Sequence, residues 1–164
     1  EALMLVQDDA GWPPHLPVRE YLERCLWPGP VPGLVSAWCS SDDTQESAGW
    51  YAIQRPWRFG AVAFIFPREC AERFIHDPVI REACAVRPGN PSGGLSMLIG
   101  DWAARLQIPI SFPTPSLVQH LGDVSTIYEM SRAVGVRHAS RFLGDEIIHP
   151  ITESRSQTTA ENGF

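Results

Sequence analysis

The 164-residue chain is 44% apolar, with a net charge of -6 and a pI near 5.3. These values fit one domain with a real core and argue against wholesale disorder. They also argue against a sequence-independent nucleic-acid binder, which needs a basic face.

All 13 basic residues are Arg, so Schiff-base and P-loop lysines are excluded, and a bound anion must be held by a few placed cations. Cys25, Cys39, Cys70 and Cys84 have neither C-x-x-C nor zinc-finger spacing. They read as small buried hydrophobes in a reducing compartment. No apolar stretch reaches bilayer-spanning length. Ala2–Val6 is too short, and lacks the basic flank, for a signal peptide.

In chain order, Ala2–Val6 reads as a short buried strand that stops at Gln7-Asp8-Asp9 and the Gly11-Trp12-Pro13-Pro14 break. Val18–Trp27 has apolar Val18, Tyr21, Leu22, Cys25 and Leu26 at helical spacing, with Pro17 suited to the first turn. Leu34–Cys39 reads as a second buried strand and Ser40–Gly49 as a polar, mobile loop. Trp50–Ile53 fits a short strand or an irregular stretch. Phe59–Phe66 is apolar and β-rich; after Pro67 a helix is expected over Arg68–His76, closed by Asp77-Pro78, with Val79–Cys84 as a further helical turn. After the Gly/Pro-rich stretch 87–94 comes the clearest second helix, Leu95–Leu106, its apolar face made by Leu95, Leu98, Ile99, Trp102 and Leu106 and its cap by Ser92 or Ser96. Pro109–Phe112 reads as a strand. Residues 1–150 are expected to form the domain and 151–164 a disordered tail. The alternation of strands and helices favours α/β, and no Gly-rich nucleotide fingerprint is present.

Four stretches carry residues suited to chemistry. Asp8 and Asp9 end a strand, where α/β folds bind ligands, and hard divalent cations want oxygen ligands; adjacent acids are also the ordinary content of a solvated turn. His120 lies in the apolar run Pro115–Gly122, as either a core histidine bonded to a carbonyl or a metal ligand. Asp101 interrupts the second helix, as either a surface carboxylate or a general base. In Arg55–Phe66, Trp57 and Phe59 offer a stacking platform, and Arg55 or Arg58 a cation for an anion. Six Trp in one domain suit either a sugar site or a core.

Taken in order, these stretches resemble a bacterial, family-2-like glycosyltransferase of the GT-A fold. ALMLVQDDA is similar to the strand that carries the acidic DxD-type motif in its Gln-Asp-Asp form. RFGAVAFIFPRECAERFI resembles the strand and helix that follow on the acceptor side. LSMLIGDWAARLQIPISFPTPSLVQHLGDVST resembles the closing part of such enzymes. The likeness covers roughly residues 2 to 126. It implies a partial GT-A (Rossmann-like) fold, a mixed sheet flanked by helices. The motif is not a strict DxD, and no Arg-Trp follows Gln at the spacing of processive synthases, which disfavours a polymerising role.

The resemblance implies a metal-dependent, inverting glycosyltransferase that moves a sugar from a nucleotide diphosphate to a hydroxyl of a glycan, lipid or protein. Asp9 and His120 would hold Mn²⁺ or Mg²⁺, Asp8 and Arg58 would contact the donor, and Trp12 and Trp57 would face the acceptor. Asp101 would be the catalytic base. The amino-terminal half that grips the base in this fold normally precedes the motif, so the chain is expected to lack it or to meet it on a partner; a homo-oligomer is the other expected assembly. The expected location is the cytoplasm, at most peripheral to a membrane. Two other classes fit the same residues: a non-catalytic carbohydrate-binding or partner module, and a metal-dependent phosphoester hydrolase.

Overall fold

The computed structural model describes residues 1–27, 33–53, 55–58, 60–86, 94–122 and 137–148. They form a mixed α/β fold. A five-stranded sheet is built from β1 (Ala2–Val6), β3 (Leu34–Ser36), β4 (Gly49–Ile53), β5 (Ala63–Pro67) and β6 (Ile110–Thr114), in the order β1-β5-β3-β6-β4. A second, two-stranded ladder pairs β2 (Ala10–Gly11) with β7 (Gln119–His120). The helices are α1 (Val18–Cys25), α2 (Arg68–His76), α3 (Pro78–Val86), α4 (Gly94–Arg105) and α5 (Leu143–Ile148). No helix among them is long and apolar enough to cross a membrane.

Strand directions follow from the register. β5 runs antiparallel to both β1 and β3, and β3 runs parallel to β6. Strands β1, β3 and β6 therefore point the same way, and their carboxyl ends share one edge of the sheet, where α/β folds gather ligands. The apolar run Ala2–Val6 is a strand, as expected, but it is neither central nor buried. β1 pairs only with β5 among the described residues, and Leu3 and Val6 are 53% and 45% exposed. An apolar run shows that a segment pairs; it does not show how many neighbours it has.

The core lies against the face carrying Phe64 and Phe66, which alternation sends to one side of β5. Trp57 meets Phe64 at 5.5 Å and Phe112 at 6.2 Å between ring centroids. Phe66 meets Phe74 of α2, and Phe74 meets Trp102 of α4 edge-to-face at 5.1 Å and 89°. Such geometry sets the positive edge of one ring on the negative face of the next. α4 crosses this layer closely because Gly100 has no side chain: a Cβ there would sit 2.1 Å from the Trp57 carbonyl oxygen.

The helix boundaries are chemical. Pro67 precedes α2, and Pro78 opens α3 at a position that lacks an intrahelical donor requirement. Asp77 caps α3 by accepting from the Val79 and Ile80 N–H groups, while its other oxygen accepts from Arg105 at the end of α4, 2.6 Å away. α4 closes on Gln107 in the left-handed region (φ 55°), with Ile108 N–H bonded to the Ala103 carbonyl. Its apolar face is the expected one, with Ile99 and Trp102 buried. Ser96 lies inside the helix, and Ser92 falls outside the described residues.

Ser40–Gly49 is not the loose loop its composition suggests. Ser40 and Asp43 are buried, Ser40 donates to Asp43, and Arg55 pairs with Asp43 at 2.6 Å. Ser40 and Asp43 satisfy one another inside the fold, while Asp42 and the stretch 45–48 face water. Cys39 and Cys70 are buried free thiols, while Cys84 is exposed. Burial pushes the Cys39 thiol up to about 11, opposed by hydrogen bonds from Thr44 and Thr114. The expected tail, 151–164, lies outside the described residues.

Candidate functional site: a histidine–carboxylate corner

At the carboxyl edge of the sheet, the chain leaving β1 keeps one more sheet bond, Gln7 N–H to the Val62 carbonyl. It then turns: Ala10 N–H donates to the Gln7 carbonyl, placing Asp8 and Asp9 at the two central positions. The two members of this pair differ in their surroundings. Asp8 is exposed, as a turn aspartate is. Asp9 turns toward β7.

β7 arrives from β6 through Thr114 and a cis bond to Pro115. Ser116 anchors the passage. Its hydroxyl donates to the Val118 carbonyl at 2.6 Å and accepts from the Cys39 N–H at 3.1 Å. Leu117 N–H bonds the Ala37 carbonyl beyond β3. The β2–β7 ladder then sets Ala10 opposite His120. The result is His120 Nε2 3.1 Å from Asp9 Oδ2, with the histidine side chain 6% exposed and the carboxylate 37%.

The corner is not chemically closed. Asp9 Oδ1 and His120 Nδ1 are buried without a partner among the described residues. A neutral imidazole carries one N–H and one lone pair. If Nε2 donates to Asp9, Nδ1 is left as an acceptor with no donor. If Nδ1 carries the hydrogen, the Nε2 lone pair faces a carboxylate oxygen and is repelled. A cation shared by Nε2 and Asp9 removes that repulsion. The spacing suits this: octahedral Mg²⁺ bonds of about 2.1 Å at right angles put neighbouring ligand atoms roughly 3 Å apart.

Gly122 keeps the space open, since a Cβ there would lie 2.7 Å from Asp9 Oδ2 and 3.3 Å from His120 Cε1. Among the described residues no group of three or more His, Cys, Asp or Glu gathers in one place. Two protein ligands, with phosphate oxygens and water completing the shell, match how such cations are held at diphosphate sites. The residues present therefore fit the group.

The other expected site residues fall elsewhere. Trp57 is wholly buried, and its Nε1 donates to the Gly60 carbonyl. A ring with both faces packed offers none to a sugar, so its expected acceptor role is corrected to core. Trp12 is half-buried and packs against the core. Arg58 is engaged by Asp101 at 3.0 Å, with 43% and 56% of the two side chains exposed.

Gly100, next to Asp101, lines a cavity of about 330 Å³ with Ala103, Ala104, Ile53 and Ile110. Ile53 and Ile110 pair at the far end of the sheet, where β6 begins. Among the described residues, the structure brings Asp9 to His120 and Arg58 to Asp101.

Ser116 and Gly122 carried no assigned role in the sequence, although both lie in PSLVQHLG. The signal available was a small residue on each side of the histidine. Comparison of the chain with protein-family models, with curated proteins and with solved structures finds no match.

Proposed function

We propose that the Asp9–His120 corner is a divalent-cation site for a nucleotide diphosphate, and that the chain belongs to a metal-dependent glycosyltransferase of partial GT-A fold. The observation that carries the cation site is the buried, unpartnered Asp9 Oδ1 beside a histidine nitrogen already turned toward the same carboxylate. The step from cation site to sugar transfer is supported by the resemblance of the QDDA and PSLVQHLG stretches.

Asp9 and His120 would hold Mn²⁺ or Mg²⁺. The bound cation would supply positive charge against the diphosphate as the sugar–phosphate bond breaks. Asp9 would contribute a carboxylate oxygen and His120 a ring nitrogen. The β2–β7 ladder beside them would hold the two side chains in register. Asp8, exposed in the turn, is free to reach the donor's ribose or a water. Asp101 enters as the base for the acceptor hydroxyl through the resemblance alone, so its role is tested separately.

The test is calorimetry with Mn²⁺ and UDP. The parent protein is expected to bind UDP in the presence of Mn²⁺ and to lose that binding in Asp9→Asn, a substitution that keeps the shape of the side chain. Equal binding by the two proteins would remove the metal role.

A further inference from the structure

Gln119 is 4% exposed, and a buried amide is costly unless its groups are bonded. Here they are bonded to backbone. Its Oε1 accepts from the Ala139 N–H at 2.9 Å and from the His120 N–H at 3.1 Å, and its Nε2 donates to the Ala139 carbonyl at 3.1 Å.

The ladder explains why this is needed. Leu121 N–H donates to the Asp9 carbonyl at 2.8 Å, which makes Ala10 and His120 an antiparallel pair of the non-hydrogen-bonded kind. The His120 N–H therefore points away from β2. Buried backbone donors require an acceptor, and the Gln119 side chain provides it. On its far side the same amide pairs with both polar groups of Ala139, as a neighbouring strand would. Ser116 continues the attachment: its N–H bonds the Arg141 carbonyl, and its own carbonyl accepts from Leu143.

We infer that Gln119 is a positioning residue, its side-chain amide acting as a surrogate strand that clamps residues 139–143 onto β7 and fixes the backbone from which His120 reaches Asp9. The inference rests on the proposed cation site for its purpose, but not for its geometry.

The experiment compares the parent with Gln119→Met, which fills similar volume without hydrogen bonds, and with Gln119→Asn, one methylene short, should the first not fold. Phe74→Ala, in the distant aromatic layer, serves as a destabilised control. Mn²⁺ affinity is measured by calorimetry at a temperature where every variant is folded. Proton NMR reads the contact between the His120 ring Hε1 and the Gly122 Hα protons, and amide exchange reads the His120 N–H.

The Gln119 variants are expected to bind Mn²⁺ about tenfold more weakly, the usual effect of removing a group that orients a metal ligand. They are also expected to lose the ring contact and the slow His120 exchange, while Phe74→Ala keeps all three. Parental affinity with the ring contact intact in a Gln119 variant would overturn the inference. If the parent itself takes up no Mn²⁺, the cation reading fails and the metal-free measurements decide. Loss of the ring contact and of the slow exchange then supports positioning, and their retention overturns it.

Discussion

The Asp9–His120 corner and the Arg58–Asp101 pair each join an acid to a basic side chain at 3.1 and 3.0 Å. They are different objects. Arg58 and Asp101 are both substantially exposed, so water screens their attraction and competes for their hydrogen bonds. Asp9 and His120 are held by a ladder and leave two buried polar atoms unsatisfied. An exposed, closed ion pair needs nothing more. A buried histidine beside a partly exposed carboxylate, with a polar atom of each buried and unpartnered, costs stability unless something completes it. Unspent bonding capacity, more than the presence of charge, separates this corner from the Arg58–Asp101 pair, although the buried Trp38 and Trp102 Nε1 atoms also lack partners among the described residues.

Substitutions test the difference between the two pairs and the core beside them. Trp57→Ala carries the largest expected effect, a loss of about 3–5 kcal/mol in urea unfolding, because the ring is core between the sheet and α4. A near-neutral result would return Trp57 to the acceptor face. Asp9→Ala comes next. It removes a ligand, so Mn²⁺ affinity should fall by more than the roughly 100-fold upper end seen for groups that only support ligands. Gly122→Ala presses a methyl on Asp9 Oδ2 and should weaken Mn²⁺ binding by about tenfold, an effect comparable to loss of a supporting group. Asp101→Asn should leave Mn²⁺ affinity at the parental value and shift stability by at most about 1 kcal/mol. A drop in turnover at unchanged donor affinity would give Asp101 the base role that the resemblance implies.

The smallest effect concerns pH. The Arg105 hydrogen bond, helped by the Ile80 and Val79 N–H groups and opposed by desolvation, holds the Asp77 carboxyl below its usual range. A carboxyl depressed on folding stabilises the protein above its unfolded pKa, and that contribution is lost as pH falls through the folded value. Acid unfolding should therefore begin at a higher pH in Arg105→Gln than in the parent, followed by circular dichroism.

Local chemistry was legible in the sequence and long-range geometry was not. α2 could be placed because Pro67 and Asp77-Pro78 bound it, and α4 because its apolar residues recur at helical spacing. β1 was recognisable as a strand, yet its place at the sheet edge depends on neighbours far along the chain. Trp57 illustrates the same limit: an aromatic residue beside arginines reads alike whether its faces are packed or open. Ser40 and Asp43 looked like loop residues because polarity reports a need for hydrogen bonds, not whether water or protein meets it. For the site, Asp9 and His120 were each visible as candidates. Their meeting depends on strands of two residues each, too short for any periodicity to register.

The most direct test of the Asp9–His120 cation site is paramagnetic. Mn²⁺ and UDP are added to isotopically labelled protein, and line broadening is mapped along the chain. A cation at that corner predicts broadening strongest at Asp9, His120 and Gly122, and weaker at Arg58 and Asp101 at the same metal concentration. Broadening centred on Asp101, or none at the Asp9–His120 corner, would contradict it.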